Sequence, residues 1–199
     1  AFLNGCDNVT DITIPASVTS IPFNQCDNNL KNVYISDLAA WCNIDFGAKE
    51  YHGPISYDYN LYLNGNLITD LVIPEGVTSI GYSVFSGCSS LTSITIPDSV
   101  TFVSRASFPS NSNLYNEYDN GLYLGNSNNP YLIFMGVKDN YETSCKINDE
   151  TKIIADGAFE HNSNLRSVVI GNSVTSIASN MFYGCSSLDV TIGNSVTSI

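Results

Sequence analysis

The chain has 199 residues and a formal net charge of −12, from 19 acidic and seven basic side chains. It contains no run of basic residues that could hold phosphates, so the composition argues against nucleic acid as a partner. Charged residues make up 13% and hydrophobic residues 43% of the chain, which is typical of a β-rich surface protein, and no apolar stretch approaches the roughly 18 residues that span a membrane.

A short motif, Val-Thr-Ser-Ile, marks a repeat along the chain. Its copies are Val18-Thr19-Ser20-Ile21, Val77-Thr78-Ser79-Ile80, Val174-Thr175-Ser176-Ile177 and Val196-Thr197-Ser198-Ile199. The spacing is 23 residues where Ile73-Pro74 returns as Ile96-Pro97, and again where Phe159 returns as Phe182. A fixed period of this length predicts a repeat architecture.

One copy of the repeat shows how each coil is built. Ile94 and Ile96 alternate with Ser93 and Thr95, which predicts a half-buried strand with one face inward. Pro97 ends this strand because proline has no N–H to donate. A phenylalanine is predicted to plug each coil, at Phe85, Phe108, Phe159 and Phe182. Because one coil cannot bury its own apolar edge, neighbouring coils must stack about 4.8 Å apart, as parallel strands do, to form a solenoid.

The first departure from the repeat is predicted to cover about residues 36–70. Residues 36–42, Ser-Asp-Leu-Ala-Ala-Trp-Cys, are typical of one capped helical turn, in which Trp41 plugs the core. Further on, Leu61-Tyr62-Leu63 and Leu67-Ile68-Thr69 flank Asn64-Gly65. Asn-Gly between alternating apolar residues is the strongest short signal for a two-residue β-hairpin.

The second departure is predicted to cover about residues 115–144. Gly121-Leu122-Tyr123-Leu124 and residues 131–135 flank a Gly-Asn-Ser-Asn-Asn-Pro loop at 125–130, which predicts a second hairpin with a longer loop. After it, Cys145-Lys146-Ile147-Asn148 takes the place of a repeat strand. Both departures are therefore interpreted as insertions within one solenoid.

The repeat resembles the BspA-like leucine-rich repeats. The motifs that carry the resemblance are Ile73-Pro74, Ser79-Ile80-Gly81, Phe85, Gly87-Cys88-Ser89-Ser90-Leu91 and their copies. The resemblance implies a β-rich solenoid, a right-handed curved superhelix with short helical turns and, here, two β-hairpin insertions. It also implies an extracellular or surface-anchored protein of a host-associated bacterium or mucosal parasite, linked to adhesion. Residues 1–199 are expected to form a single solenoid and to be a fragment of a longer protein.

The six cysteines are not predicted to form a disulfide framework. Four of them occupy the same corner of the repeat, at Cys6, Cys26, Cys88 and Cys185, where Asn111 and Asn162 stand in other copies. In the leucine-rich repeats that the chain resembles, a corner that accepts either Cys or Asn holds a buried side chain that supports the turn, so the resemblance implies buried free thiols here. A bridge between Cys6 and Cys26 is the alternative. Cys145 is assigned to the core, and the role of Cys42 stays open.

No combination of residues predicts catalysis, a cofactor or a metal. The two histidines, His52 and His161, are interpreted as exposed loop residues rather than bases for a nucleophile. The neighbouring acids Glu117 with Asp119 and Asp149 with Glu150 lack a scaffold for sugar cleavage. The groups Asp119-Asn120-Gly121 and Asp27-Asn28-Asn29 are explained by turns without calcium. The chain is therefore predicted not to be an enzyme.

Binding to a protein or a glycan is the predicted function. Alternate strand residues face outward as an uncharged ladder, and both insertions add tyrosines, which are enriched at interfaces. The predicted ligand-binding residues are Tyr34, Tyr57, Tyr59, Tyr118 and Tyr123. The alternative for each ring is that it packs over the sheet or braces a hairpin.

The chain is expected to act as an extracellular or cell-surface adhesion module, with no nucleic acid partner and no membrane insertion. The alternative function is a stalk or spacer that projects another domain. End-to-end self-association of solenoid ends is also expected, because exposed strand edges and apolar cross-sections attract each other.

Overall fold

The computed structural model describes residues 8–21, 30–46, 58–178 and 181–198. The chain divides into two compact units, one formed by residues 1–100 with 106–111 and the other by residues 101–105 with 112–199.

The first unit contains parallel coils interrupted by one hairpin. Its elements are β1 (Asp11–Ile14), β2 (Asn32–Ile35), α1 (Leu38–Cys42), β3 (Asn60–Leu63), β4 (Asn66–Leu67), β5 (Asp70–Val72), β6 (Ser79–Ile80) and β7 (Ser93–Thr95). Strands β1, β2 and β3 are parallel neighbours, and β4 pairs antiparallel with β3. Strand β5 pairs parallel with β7.

The remaining elements follow in chain order and include two short 3₁₀ helices. They are β8 (Phe102–Val103), η1 (Arg105–Ser107), η2 (Ser112–Leu114), β9 (Asn116–Tyr118), β10 (Gly121–Leu124), β11 (Ile133–Val137), β12 (Ser144–Lys146), β13 (Ile153–Ile154), β14 (Ser167–Val169) and β15 (Asp189–Thr191). In the second unit one sheet has the order β13-β11-β10-β9, and another, fully parallel, has the order β12-β14-β15.

The alternation of the repeat strands explains which side chains enter the core. Val33 and Leu61 are fully buried at paired positions of β2 and β3, while Asn32 and Asn60 lie beside them on the outer face. The inward residue of β5, Leu71, is also fully buried. Period-two patterning against a single covered face produces this arrangement. The prediction of a β-rich solenoid of stacked parallel coils is confirmed.

The first predicted hairpin is confirmed. Asn64 and Gly65 have φ values of 50° and 82°, which are the left-handed conformations that a type I′ turn requires at both positions. The backbone N–H of Asn64 also donates to the carbonyl of Ile35, at 2.9 Å. The hairpin is therefore fixed to the neighbouring coil through its turn.

Replacing Gly65 by alanine is expected to lower the free energy of unfolding by about 1 kcal/mol, because a Cβ disfavours left-handed backbone. No atom lies within 4 Å of the added Cβ, so the cost is conformational rather than steric. Gly81→Ala is the matched control: Gly81 lacks a left-handed φ, and the nearest atom to its Cβ would be 3.8 Å away. Urea unfolding of both variants measures the difference, and equal effects would contradict the turn assignment.

The predicted helical turn is confirmed as α1. Asp37 is its N-cap, and its carboxylate accepts a hydrogen bond from the backbone N–H of Ala40 at 2.9 Å. This bond satisfies one of the donors that the first turn leaves unpaired. Leu38, Trp41 and Cys42 are the buried residues of the helix, so Trp41 plugs the core as predicted.

The second predicted hairpin is also confirmed, with an extra strand. Strands β10 and β11 are antiparallel, and their register shifts between Leu122 and Tyr123. The side chain of Asn126 closes the loop by accepting from the backbone N–H groups of Asn128 and Asn129, at 3.0 and 3.1 Å. The sequence did not predict β9, which turns into β10 at Asp119, a residue with a φ of 51°.

The predicted phenylalanine plugs form stacked pairs inside each unit. In the first unit Phe85 and Phe108 stack with ring centroids 5.6 Å apart. In the second unit Phe159 stacks on Phe134 at 4.8 Å and on Phe182 at 5.2 Å. Because Phe134 comes from the second insertion, this hairpin is built into the core of its unit.

Candidate ligand-binding face

The outward side chains of the β1–β4 sheet form two parallel rows. The first row contains Asp11, Asn32 and Asn60, which are paired in register across β1, β2 and β3. The second row contains Thr13, Tyr34, Tyr62 and Leu67, paired across all four strands. We call these two rows together the tyrosine face.

Two tyrosines stack on each other at the centre of this face. The rings of Tyr34 and Tyr62 have centroids 4.8 Å apart and an interplanar angle of 21°. Parallel strands in register set this spacing, because equivalent residues of neighbouring strands lie about 4.8 Å apart. Both residues are half-buried, and Leu67 beside Tyr62 is 40% exposed. The pair therefore presents a fixed aromatic surface with an apolar neighbour.

A ladder of amides connects the first row to a carboxylate. The Asn60 side-chain N–H donates to Asn32 Oδ1 at 3.1 Å, and Asn32 Nδ2 donates to Asp11 Oδ1 at 2.8 Å. The Tyr34 hydroxyl donates to the same Asp11 oxygen at 3.3 Å. Hydrogen bonds from Thr10 and then Asn32 lower the pKa of Asp11, whereas desolvation raises the pKa of Tyr34. Asp11 is therefore charged and Tyr34 neutral at physiological pH.

The structure separates the five tyrosines that the sequence singled out for binding. Tyr34 lies on the tyrosine face, Tyr118 is half-buried on β9, and Tyr57 lies outside the described residues. Tyr59 is 3% exposed and Tyr123 is fully buried. The expectation that these last two offer their rings to a ligand is corrected, because both rings pack in the interior.

The polar ends of the buried tyrosines are satisfied by the protein itself. The Tyr59 hydroxyl donates to the carbonyl of Val84 at 3.2 Å, and burial raises its pKa well above the usual value. The Tyr123 hydroxyl accepts from the backbone N–H of Asn148 at 3.2 Å. A buried hydroxyl keeps such partners because leaving it unpaired costs free energy. Both tyrosines are therefore held in the interior by packing and by a hydrogen bond to the main chain.

Tyr118 is the remaining tyrosine of the second insertion. Its ring meets Tyr131 edge to face, with centroids 6.0 Å apart, and both residues are half-buried.

Sequence reasoning did not select Tyr62 as a binding residue. The alternation around the buried Leu61 was the signal that could have placed Tyr62 outward and Tyr59 inward.

The outward positions of the other repeat strands are mostly small and polar. In the first unit the Ser93 hydroxyl donates to Asp70 Oδ1 at 2.8 Å, and Val72 two residues further is 61% exposed. In the second unit the parallel strands β12, β14 and β15 pair Ser144 with Ser167 and Ser167 with Asp189. None of these positions forms an aromatic pair in the described part of the chain.

The cysteines that the structure describes are free thiols. Cys42, Cys88 and Cys145 are buried, and burial raises the pKa of each to about 12. At the repeat corner the Cys185 thiol donates to the carbonyl of Phe159 at 3.1 Å and is only half-buried. The predictions of buried free thiols at Cys88 and Cys145 are therefore confirmed, and Cys185 is more exposed than expected. Cys6 and Cys26 lie outside the described residues.

The described thiols are expected to differ in reactivity. Iodoacetamide at about pH 8 should label Cys185 much faster than Cys42, Cys88 and Cys145, because the thiolate is the reactive form and burial suppresses it. Since these folded pKa values lie above the usual value of 9.0, the thiols stabilise the fold below about pH 9 and lose that contribution as the pH rises toward 12. Peptide-resolved mass spectrometry measures the rates, and equal labelling in the native protein would contradict the assignment.

The candidate acid pairs take part in local contacts. Glu117 forms an ion pair with Lys138, and Asp119 accepts a hydrogen bond from the backbone N–H of Lys146. His161 is exposed, as predicted, and its ring meets Tyr183 edge to face at 5.5 Å. His52 lies outside the described residues. Within the described ranges no group of three or more His, Cys, Asp or Glu residues could hold a metal ion, and no helix there is long and apolar enough to cross a membrane.

Solved structures of bacterial leucine-rich repeat proteins are similar to this chain. A leucine rich cell surface protein from Faecalibacterium prausnitzii A2-165 is 23% identical, with 98% of this chain and 76% of that chain covered and a TM-score of 0.33. A leucine-rich repeat protein from Eubacterium ventriosum ATCC 27560 is 18% identical, with 98% and 62% covered and a TM-score of 0.41. The pneumococcal vaccine antigen PcpA is 18% identical over 94% of this chain, which spans 51% of that antigen, with a TM-score of 0.42.

Among curated proteins, none matches the chain. The family model of the BspA type leucine rich repeat region matches in six copies, across residues 1–42, 56–118 and 136–199. The two unmatched segments, 43–55 and 119–135, fall within the predicted insertions. The predicted resemblance is confirmed, and the chain belongs to the BspA type leucine-rich repeat family.

Proposed function

We propose that this chain is a non-catalytic, extracellular interaction module that binds a protein or a glycan at a cell surface. The observation that carries the proposal is the stacked pair of Tyr34 and Tyr62 on the outer face of the β1–β4 sheet. In the second unit, Tyr118 contributes a further half-buried ring. Large rings held in place by packing give contact area at a low cost in conformational entropy.

Family membership supports the proposal at a coarser level. One similar structure is described as a leucine rich cell surface protein and another as a vaccine antigen, and we extend a surface location from those proteins to this chain. Repeat solenoids offer a long surface on which weak contacts can add together. Adhesion to a host or to another surface is the activity that this combination favours.

A stalk or spacer is the second candidate function. The outward polar groups that support it bond to each other, as Ser93 does to Asp70 and Asn32 to Asp11. A face whose hydrogen-bonding groups are already paired gains little from a partner. On this view the chain projects another domain, and ligand specificity lies elsewhere in the protein.

Optical binding to a panel of extracellular matrix proteins and glycans at physiological salt tests the two candidates. Tyr34→Ala and Tyr62→Ala are expected to weaken a saturable interaction about tenfold each, because tyrosines that a partner covers at the centre of an interface are common hot spots. Tyr141→Ala is the matched control, since Tyr141 is 87% exposed and lies in the other unit.

A blank panel with folded protein, or equal losses in all three variants, would contradict binding through the tyrosine face. The spacer function would then be favoured. Light scattering on the same samples tests the expected end-to-end association separately.

A further inference from the structure

The tyrosine face belongs to a strongly acidic part of the chain. Residues 1–100 and 106–111, which form the first unit, contain ten acidic residues and only two lysines. Asp11 lies at the edge of the tyrosine face, and no lysine or arginine in the described residues forms an ion pair with it. Lys31 makes the smallest of the contributions to its pKa. The face therefore combines aromatic rings with a carboxylate that has no ion-pair partner among the described residues.

The carboxylate of Asp11 is held in one orientation and can still accept a further hydrogen bond. Its Oδ1 accepts from Asn32 and Tyr34, and its Oδ2 accepts from Thr10. An ionised carboxylate offers about four acceptor positions, so one remains on Oδ2 within the described contacts. A pre-oriented acceptor loses little conformational entropy when a donor arrives.

The Tyr34 ring is attached to this carboxylate through its own hydroxyl, at 3.3 Å. A cation bonded to Asp11 would therefore lie beside the ring. Arginine suits this arrangement because its planar guanidinium stacks on aromatic rings and donates to carboxylates at the same time. A neutral glycan would use the rings but would gain nothing from the negative charge of the unit.

We propose that the tyrosine face binds an arginine-bearing basic segment of a partner protein, with the guanidinium bonded to Asp11 and packed on Tyr34, the ring that Tyr62 supports by stacking. This inference rests on the proposed function and names the chemistry of the partner. Strand β5 carries a weaker version of the same arrangement. Asp70 occupies the repeat position of Asp11, and the exposed Val72 occupies that of Tyr34, so a long basic segment has a second contact in the unit.

Fluorescence anisotropy with a labelled peptide of repeated Arg-Ser-Gly units tests the proposal, with a citrulline peptide as the uncharged isostere. At about 0.15 M salt, Asp11→Asn is expected to weaken binding about fivefold and Tyr34→Ala about tenfold. Tyr34→Phe keeps the ring, so its affinity for the arginine peptide should stay within about twofold of that of the unaltered protein. Glu75→Gln is the matched control, because Glu75 is an exposed acid of the same unit outside the tyrosine face.

Three results would overturn the inference. Equal losses of affinity for Asp11→Asn and Glu75→Gln would mean that only net charge matters. Equal affinity for the citrulline peptide would mean that the positive charge is irrelevant. If folded protein did not bind the arginine peptide, a basic segment would be excluded. The matrix and glycan panel separates this failure from failure of the proposed function. A panel ligand that is sensitive to Tyr34→Ala but indifferent to Asp11→Asn would preserve the interaction module and exclude the basic partner.

Discussion

Replacing Phe159 by alanine is expected to lower the free energy of unfolding of the second unit by about 4 kcal/mol. Phe159 is fully buried and lies between Phe134 and Phe182, with centroid distances of 4.8 and 5.2 Å. The variant loses the transfer free energy of the ring, leaves a cavity and breaks two stacked contacts. Urea unfolding followed by circular dichroism measures the loss.

Phe102→Ala is the matched control for this prediction. It removes the same side chain from the same unit, but Phe102 is 39% exposed, so the expected loss is below about 1 kcal/mol. If both variants lost similar stability, the phenylalanine stack would not be the organising core of the unit. A loss at Phe159 below about 2 kcal/mol would also contradict it.

Trp41→Ala is expected to cost the first unit a similar amount, about 4 kcal/mol. The side chain is 1% exposed, and its ring meets Phe46 edge to face at 5.4 Å. Its indole N–H donates to the carbonyl of Val84 at 3.1 Å, which connects α1 to the coil that carries Phe85. The variant loses packing, an aromatic contact and a hydrogen bond together.

Two smaller substitutions distinguish packing from hydrogen bonding at this position. The carbonyl of Val84 accepts from both Trp41 and Tyr59, so Trp41→Phe or Tyr59→Phe leaves the acceptor with one donor. We expect a loss of about 1 kcal/mol for Tyr59→Phe and somewhat more for Trp41→Phe, which also loses volume. Thermal unfolding of Trp41→Phe and Tyr59→Phe measures the two losses of stability. A loss for Tyr59→Phe as large as that for Trp41→Ala would contradict a core whose stability comes mainly from packing.

The repeat and its interruptions were predictable from local chemistry. Ile94 and Ile96 alternate with polar residues, which predicted a half-buried strand, and Asn64-Gly65 predicted the hairpin turn that the two positive φ values now confirm. The helical turn could be predicted because Asp37 is a good N-cap followed by helix-forming residues. These features depend on backbone preferences and on burial of one face, and a few consecutive residues determine both.

The exposure of the tyrosines was only partly predictable. Inward and outward side chains alternate along the chain, and Leu61 points inward. Counting by two from Leu61 places Tyr59 inward, and counting by one places Tyr62 outward, so the sequence pattern could have assigned both. Their actual roles also needed partners from other coils. Tyr59 needs the carbonyl of Val84, and Tyr62 needs Tyr34 across the parallel pair.

The sequence by itself determined the period, the inward faces of the repeat strands, the capped turn and the two hairpins, because each depends on residues that are close together in the chain. Only the tertiary structure decided which rings are available to a partner. Tyr123 was expected to contact a ligand as a tyrosine of the second insertion, yet the register shift beside it and packing on Phe134 bury the ring completely. Burial depends on what covers a face, and that cover comes from residues distant in sequence.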